Sequence, residues 1–323
     1  MPTMRRPSHC FCLFTILALA CDTTGTAAPK RADEPSAMSE PAPPAEPPPP
    51  SEPVAPAESA TYNLRGTPMK GRTRHLEVNL DVMDAQLAFK VGPIVVPGTM
   101  TLQVRCIDDL EILDVSDGMV RQGRLTHVVD KTTTTMQMSI PGGEAETESE
   151  EEFGELHGRT ELIELNDGQW TRTLVGAAPS ANLVAELQAA PTEDALYPVA
   201  IKIGESWTVP GSELRHWTGS DFTLARGQLK RTLRAVEVVS AETIATIDGV
   251  GELGGKIRDG DGKEMDMTMT IQVTERRSLE RAMEIEMIGK GTIQLSGTFL
   301  EDGLPVSLSV TGPLTLQIKG SLL

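Results

Sequence analysis

Apolar and polar residues alternate with a period of two along most of the chain from residue 73 onward. The clearest runs, in which every second residue is apolar, lie at 76–82, 265–273, 306–310 and 314–318. Because successive side chains of a β-strand point to opposite faces of the sheet, this pattern predicts strands with one dry face and one wet face. Such strands are typical of antiparallel sheets. We count about fourteen candidate strands at hairpin-scale spacing.

Turn signals separate the predicted strands. The dipeptide Asp-Gly, whose residues tolerate the positive φ angles of tight hairpins, occurs six times, at 117–118, 167–168, 248–249, 259–260, 261–262 and 302–303. Most strands are therefore expected to follow one another as hairpins. The predicted fold is all-β: a large antiparallel meander sheet that forms a curved half-barrel or an open barrel.

One short helix is expected within this sheet protein. Ser180 is a suitable N-cap after Pro179, and Pro191 stops the run. Three apolar residues between them share one helix face: Leu183, Val184 and Leu187. The surrounding region, 177–205, divides an N-terminal from a C-terminal group of strands and marks a candidate boundary within the body, residues 61–323.

The first 20 residues are expected to be a signal peptide. Arg5 and Arg6 precede a short apolar run, Cys10 to Ala20, which reaches only about half the length of a membrane-spanning helix. The sequence that follows, Leu-Ala-Leu-Ala-Cys at 17–21, resembles the lipobox of bacterial lipoproteins. The resemblance implies that Cys21 is lipidated and becomes the first residue of the mature chain. An ordinary secretory signal with a coincidental cysteine is the alternative.

Residues 21–60 are expected to be a lipidated cysteine followed by a disordered tether. Between Pro29 and Pro56 there are eleven prolines, interleaved with Ala, Ser and Glu. Such a composition does not bury apolar surface, and an extended coil of this length spans roughly 85 Å. The protein is thus expected to be exported and anchored to a bacterial membrane. Asp22 resembles an inner-membrane retention signal, but the long tether favours the outer membrane.

Charge and aromatic content exclude several classes of function. The chain carries 46 acidic against 29 basic residues, a net charge of −17, and only 3% of its residues are aromatic. Nucleic-acid binding needs basic patches or stacking rings, so it is not expected. A sugar site floored by Trp and Tyr is not expected either. The four cysteines provide no internal disulfide, because Cys106 is the only one in the body.

The short motifs that resemble ligand-binding sites are not flanked by the residues that such sites need. Residues 249–254 read GVGELG, a formal dinucleotide-binding motif, but the glycine- and aspartate-rich stretch that follows cannot start the required helix. A strand kinked by glycines is the better interpretation. The acidic residues of 259–266 lack the spacing of a calcium loop and predict a polar hairpin tip. The sequence shows no catalytic or metal-binding motif, so no catalytic residue, metal, cofactor or enzymatic activity is expected.

A run of glutamates between Glu144 and Glu155 is the densest charge in the body. Like charges repel one another, so this run favours a mobile, solvated loop between strands. Weak collection of divalent cations is the alternative. The histidines of the body, His75, His127, His157 and His216, are scattered and form no metal motif.

Methionine is the remaining clue to function. Five methionines fall on apparent dry strand faces: Met265, Met267, Met269, Met283 and Met287. Flexible, polarisable methionines accommodate ligands of varied shape, so these residues are candidates to line an apolar face that binds a lipid or another hydrophobic small molecule. An ordinary core is the alternative interpretation.

The lipobox at Cys21, the tether and the long alternating sheet together resemble the periplasmic carriers of the lipoprotein-localisation type. The resemblance implies a half-barrel that holds acyl chains. The expected function is therefore a lipid-anchored envelope protein that binds or carries a hydrophobic ligand. The alternative is a structural or assembly lipoprotein that contacts another envelope protein and has no catalytic activity.

Overall fold

The alternating residues form strands throughout the part of the chain that the computed structural model describes. This part comprises residues 60–139, 145–166, 169–176, 178–179, 187, 196–213, 222–258, 264–301 and 304–323. The predicted signal peptide, Cys21 and nearly all of the tether lie outside it. Leu187 is helical, and most of the helix predicted after Pro179 also lies outside the described residues.

Twelve strands are present in these ranges. They are β1 (Thr73–Val91), β2 (Ile94–Ser116), β3 (Met119–Ser139), β4 (Ala145–Phe153), β5 (Thr160–Asn166), β6 (Gln169–Leu174), β7 (Ser206–Pro210), β8 (Phe222–Val239), β9 (Glu242–Arg258), β10 (Glu264–Ser278), β11 (Met283–Glu301) and β12 (Leu304–Leu322). No helix within the described ranges has the length and apolar character needed to cross a bilayer.

All twelve strands belong to one antiparallel sheet. Its order is β6-β5-β3-β2-β1-β12-β11-β10-β9-β8-β7, and β4 pairs with the second half of β3. The edge strands β6 and β7 do not pair with each other in this path, so the sheet is open. The predicted all-β, antiparallel class is confirmed.

The first and last strands meet at the centre of the sheet. Val78 of β1 lies opposite Ile318 of β12, and Leu80 lies opposite Leu316. This register puts the dry residues of both strands on the same face, which is the condition for one continuous core. The N-terminal strands therefore extend from the centre toward one edge, and the C-terminal strands extend toward the other.

Two of the turn predictions can be compared directly with the structure. Asp117 and Gly118 join β2 to β3 with φ angles of 55° and 73°, as a tight hairpin requires. Asp248 and Gly249 do not form a turn, since they lie inside β9. A Cβ atom on Gly249 would come within 2.5 Å of the Val273 side chain, so this glycine permits close packing rather than a reversal. The other four Asp-Gly pairs lie outside the described residues.

The glutamate run is a strand, and the prediction of a loop is wrong for residues 145–153. β4 pairs with β3 from Lys131 to Ser139. A hydrogen bond of 3.0 Å joins the hydroxyls of Thr135 and Ser149, and Lys131 pairs with Glu151 at 2.5 Å. Backbone pairing with a polar, threonine-rich strand outweighs the repulsion between glutamates. Burial, together with the charges of neighbouring glutamates, raises the pKa of Glu150.

A described segment between β6 and β7, residues 196–201, packs against the dry face of the sheet. β6 and β7 themselves are the opposite edge strands. Leu196, Tyr197 and Ile201 of this crossing segment are buried in the same core as the dry residues of β1–β3 and β7–β12. The segment before β1 joins it through a bridge between Tyr62 and Ile201. We call residues 196–201 the crossing segment and residues 62–65 the entry segment.

Candidate functional site

Four of the five candidate methionines, Met265, Met267, Met269 and Met287, belong to the core on the dry face, but the structure does not bring the five into one patch. Met265, Met267 and Met269 follow one another on β10. Met287 of β11 is opposite Glu275, six residues further along β10 than Met269, which corresponds to roughly 20 Å. Met283 lies further away in the same direction, opposite Ser278.

These methionines are covered rather than open to solvent. Met265, Met267 and Met287 are each 2% exposed and Met283 is 3% exposed, whereas Met269 is partly buried against the same core. The role of these residues in binding a ligand stays a prediction. In the structure a ligand reaches them only if the segments that cover the dry face move.

A buried network of charged side chains lies beside the crossing segment. It contains Arg231 of β8, Glu275 and Arg277 of β10, Glu284 of β11, and Tyr197. Arg231 pairs with Glu275, and both are almost completely buried. Arg277 donates to Glu284 at 2.9 Å. The Tyr197 hydroxyl contacts both carboxylates, and it lies 2.9 Å from Glu275.

The two arginines of this network bind the segments that cover the dry face. Arg277 Nε donates to the Leu64 carbonyl at 2.7 Å, and its Nη2 donates to the Arg65 carbonyl at 3.2 Å. Arg231 Nη1 donates to the Leu196 carbonyl at 3.2 Å. The Arg277 guanidinium also lies 3.8 Å from the centre of the Tyr197 ring. The network therefore fixes the entry and crossing segments on the sheet.

Burial and pairing set the charges of this network. Burial raises the pKa of Tyr197 well above its ordinary value, so the hydroxyl keeps its proton. Burial also raises the pKa of Glu275, although Arg231 opposes this effect. Burial works against the charged form of Glu284, but Arg277 and the Tyr197 hydroxyl hold the pKa of this carboxyl below its ordinary value. These groups are paired with one another and shielded from solvent, which is an arrangement suited to holding structure.

This network is not among the predictions from the sequence, although the sequence places charged residues at positions expected to be apolar. Glu275 and Arg277 continue the alternation of β10 at positions where the pattern expects apolar residues. Arg231 likewise stands between Leu229 and Leu233, which are buried. Charged residues at dry positions need buried partners, so the alternation itself pointed to an internal ionic network.

A second ionic cluster surrounds His127 in the N-terminal half. Its ring nitrogens lie 3.0 Å from Asp108 and 2.6 Å from Glu161. Arg172 of β6 donates twice to Glu161, at 2.7 and 2.8 Å. Burial disfavours a charged imidazole, but the hydrogen bonds that His127 donates to Asp108 and Glu161 outweigh this effect and raise the pKa of His127 to about 9.

The His127 cluster connects β3 to β5 and β6. Because His127 stays protonated near neutral pH, it is unsuited to act as a general base there. Across the described ranges, no group of three His, Cys, Asp or Glu side chains is arranged to hold a metal ion.

The wet face of β8–β11 carries a groove of about 1150 Å³. We call it the outer groove. Its polar and charged lining residues are Arg226, Gln228, Lys230, Glu252, Thr268, Thr270, Gln272, Lys290 and Thr292. A second depression of about 790 Å³ shares Lys230, Val250, Gln272 and Lys290 with it and extends it along the strands.

The cations of the outer groove form no ion pair with the acidic residues that the structure describes. Within the described residues, no ion pair involves Arg226, Lys230 or Lys290. In the adjoining depression, by contrast, Arg234 is paired with Asp248 at 3.3 Å. Glu252 is the one acidic side chain among the described residues that line the outer groove, so three cations face one anion in this set.

The glycine-rich motif contributes to the floor of this groove. Gly251 and Gly254 line it from β9, which is a continuous strand paired with β8 and β10. The interpretation of residues 249–254 as strand is confirmed. No protein-family model matches the chain, and no curated protein is significantly similar to it in sequence.

Proposed function

We propose that this protein is a lipid-anchored cell-envelope protein that works by binding another envelope component, without catalysing a reaction. In this proposal Cys21 carries the lipid, and residues 22–60 hold the body away from the membrane. The outer membrane is the proposed site of anchoring. The wet face of β8–β11 is the proposed contact surface.

The observation that carries this proposal is the set of unpaired cations in the outer groove. The chain has a net charge of −17, because its 46 acidic residues outnumber its 29 basic ones. Arg226, Lys230 and Lys290 nevertheless line one concave surface without forming an ion pair to any described residue. Concave sites with a few convergent polar groups are the usual locations of binding.

The burial and pairing of the ionisable side chains with strongly shifted pKa values support a binding function rather than catalysis. Glu275 and Arg231 are 0% exposed and are paired with each other, so a substrate has no access to them. His127 is 3% exposed, and both of its ring nitrogens contact carboxylates. A general acid or base must be within reach of the substrate proton that it transfers.

The contact surface is tested by photo-crosslinking in the native cell. A photoreactive amino acid replaces Val250, which is 52% exposed in the groove, or Val175, which is 56% exposed in the other half of the chain. We expect an adduct from position 250 that mass spectrometry identifies as one envelope component. This adduct should disappear in the double variant Lys230→Glu/Lys290→Glu. Equal adducts from both positions, or none from position 250, would contradict the proposal.

The anchor is tested separately by following processing and lipidation of the Cys21→Ala variant. This variant should lose signal-peptide processing at this site and remain as the longer, unlipidated precursor. If this variant were processed normally and stayed membrane-bound, lipidation of Cys21 would be the wrong explanation.

A second candidate function is transport of a hydrophobic ligand on the dry face. One observation favours it: Met265, Met267 and Met287 belong to the core on the dry face of an open sheet. A ligand would have to displace the entry and crossing segments, which Arg231 and Arg277 hold in place. A lipid that co-purifies with the protein would favour this candidate over the first.

A further inference from the structure

We propose that the outer groove binds an extended acidic segment of a partner protein, with Lys230 and Lys290 each binding one carboxylate. This inference rests on the proposed function and adds the chemistry of the partner. It is supported by the register of β8–β11, by the charges that line the groove and by the side chains between the two lysines.

The two lysines are the ends of one row across four strands. Lys230 lies opposite Val250, Val250 lies opposite Gln272, and Gln272 lies opposite Lys290. All four residues line the groove. Adjacent strands are about 4.8 Å apart, so the backbones at Lys230 and Lys290 are separated by about 14 Å.

This separation matches a simple repeat in an extended chain. An extended peptide rises about 3.3 Å per residue, so side chains four residues apart are about 13 Å apart. They also point to the same side of the peptide, because the spacing is even. Two acidic residues at positions i and i+4 of an extended segment therefore reach both lysines at once.

The side chains between the lysines suit a peptide backbone. Gln272 lies in the row itself, and Thr270 and Thr292 face each other in the next row, where their hydroxyls are 2.8 Å apart. Amide and hydroxyl groups both donate and accept hydrogen bonds, as a peptide backbone requires. Val250 supplies an exposed apolar contact at the centre.

The charges of Arg226 and Glu252 and the kinds of side chain in the groove limit the classes of ligand that fit. Arg226 adds a third cation and Glu252 adds one opposing anion, so the outer groove favours a ligand with a small number of negative charges. The described residues that line the groove include no aromatic side chain, which disfavours stacking of sugars or bases. Lysine binds carboxylates as a mobile point charge and needs no bidentate geometry.

The inference is tested by peptide binding to the full chain, purified in detergent. The probe is a nine-residue fluorescent peptide with glutamates at positions 3 and 7 and Thr, Ser and Val elsewhere. Its comparison peptide has the same composition, with the two glutamates adjacent. Fluorescence anisotropy is measured at low salt, because exposed ion pairs are screened at high ionic strength.

We expect the spaced peptide to bind at least several-fold more tightly than the adjacent one. The double variant Lys230→Glu/Lys290→Glu should weaken binding of the spaced peptide by about tenfold or more, since two attractive contacts become repulsive. The Lys90→Glu variant is the matched control, because Lys90 is also exposed and lies on β1, outside the groove. It should bind the peptide as the unmodified chain does.

Three results would overturn the inference: no binding, equal binding of both peptides, or equal loss in the Lys90→Glu variant. Inorganic phosphate that displaced the peptide at micromolar concentration would also overturn it, since the groove would then be a phosphate site. If crosslinking from position 250 identified a partner without an acidic segment, this inference would fail while the proposed function would stand.

Discussion

The His127 cluster gives a prediction whose magnitude follows from the structure. The pKa of His127 is about 9, against an ordinary value of 6.5. Because the folded state holds this proton more tightly than the unfolded chain, protonation of His127 stabilises the fold. That contribution is fully present below about pH 6.5 and is lost as the pH rises through about 9.

The expected size of this contribution is about 2.5 kcal/mol at pH 7, and it falls to nearly zero at pH 10. Replacing His127 with Gln removes the titrating group but keeps a polar side chain between Asp108 and Glu161. The variant should therefore be less stable than the unmodified protein at pH 7, and the difference should shrink by roughly 2 to 3 kcal/mol at pH 10.

The assay is urea unfolding followed by tryptophan fluorescence at pH 6, 7, 8, 9 and 10. Trp170 lies on β6 close to the cluster, so local changes are reported together with global unfolding. His75→Gln is a matched control, since His75 is also paired with a carboxylate, at 2.6 Å, but its side chain is 24% exposed. A difference between His127→Gln and the unmodified protein that stayed constant from pH 7 to pH 10 would refute the reasoning.

Two further predictions concern the core. Glu275→Gln removes the charge that neutralises Arg231 while keeping the shape of the side chain. Leaving a buried charge unpaired costs about 3 to 5 kcal/mol, so calorimetry should show a Tm lower by roughly 10 °C. An unchanged Tm would contradict the role of this pair. Gly312→Ala places a Cβ atom about 2.4 Å from the Cβ atom of Ala85 at the junction of β1 and β12. Overpacking there should lower the free energy of unfolding in urea by about 1 to 3 kcal/mol. An unchanged free energy of unfolding would mean that the two strands are not packed as closely as described.

The strands could be predicted from the sequence because each strand has its own alternation of apolar and polar residues. In β10 the alternation of Met265, Met267 and Met269 with polar residues predicts which face of the strand is dry, and the structure confirms this prediction. Alternation does not identify the neighbour of a strand. The pairing of β1 with β12, more than 200 residues apart, depends on long-range contacts that a periodic pattern does not encode.

The errors of prediction have local physical reasons. β4 was expected to be a loop because its glutamates repel one another, but pairing with the polar strand β3 provides hydrogen bonds for its backbone. Asp248-Gly249 has the composition of a turn, yet Gly249 is needed where the Val273 side chain packs against β9. In both cases a tertiary contact overrides the local preference.

The outer groove could not be predicted because its residues are polar side chains of the kind that any wet face carries. Lys230, Gln272 and Lys290 become neighbours only through the register of β8–β11. The sequence did narrow the class of ligand. The lack of aromatic residues that argued against sugar and nucleic-acid binding also holds for the lining of the groove.

Native mass spectrometry tests most directly the claim that the dry face of this protein is a closed core and not a binding site for a hydrophobic ligand. The chain from residue 22 onward, which lacks Cys21, is purified from cells without delipidation. Because Met265, Met267 and Met287 are each 2% exposed, we predict the mass of the polypeptide alone. A lipid bound in a one-to-one ratio would contradict the account and would favour the second candidate function.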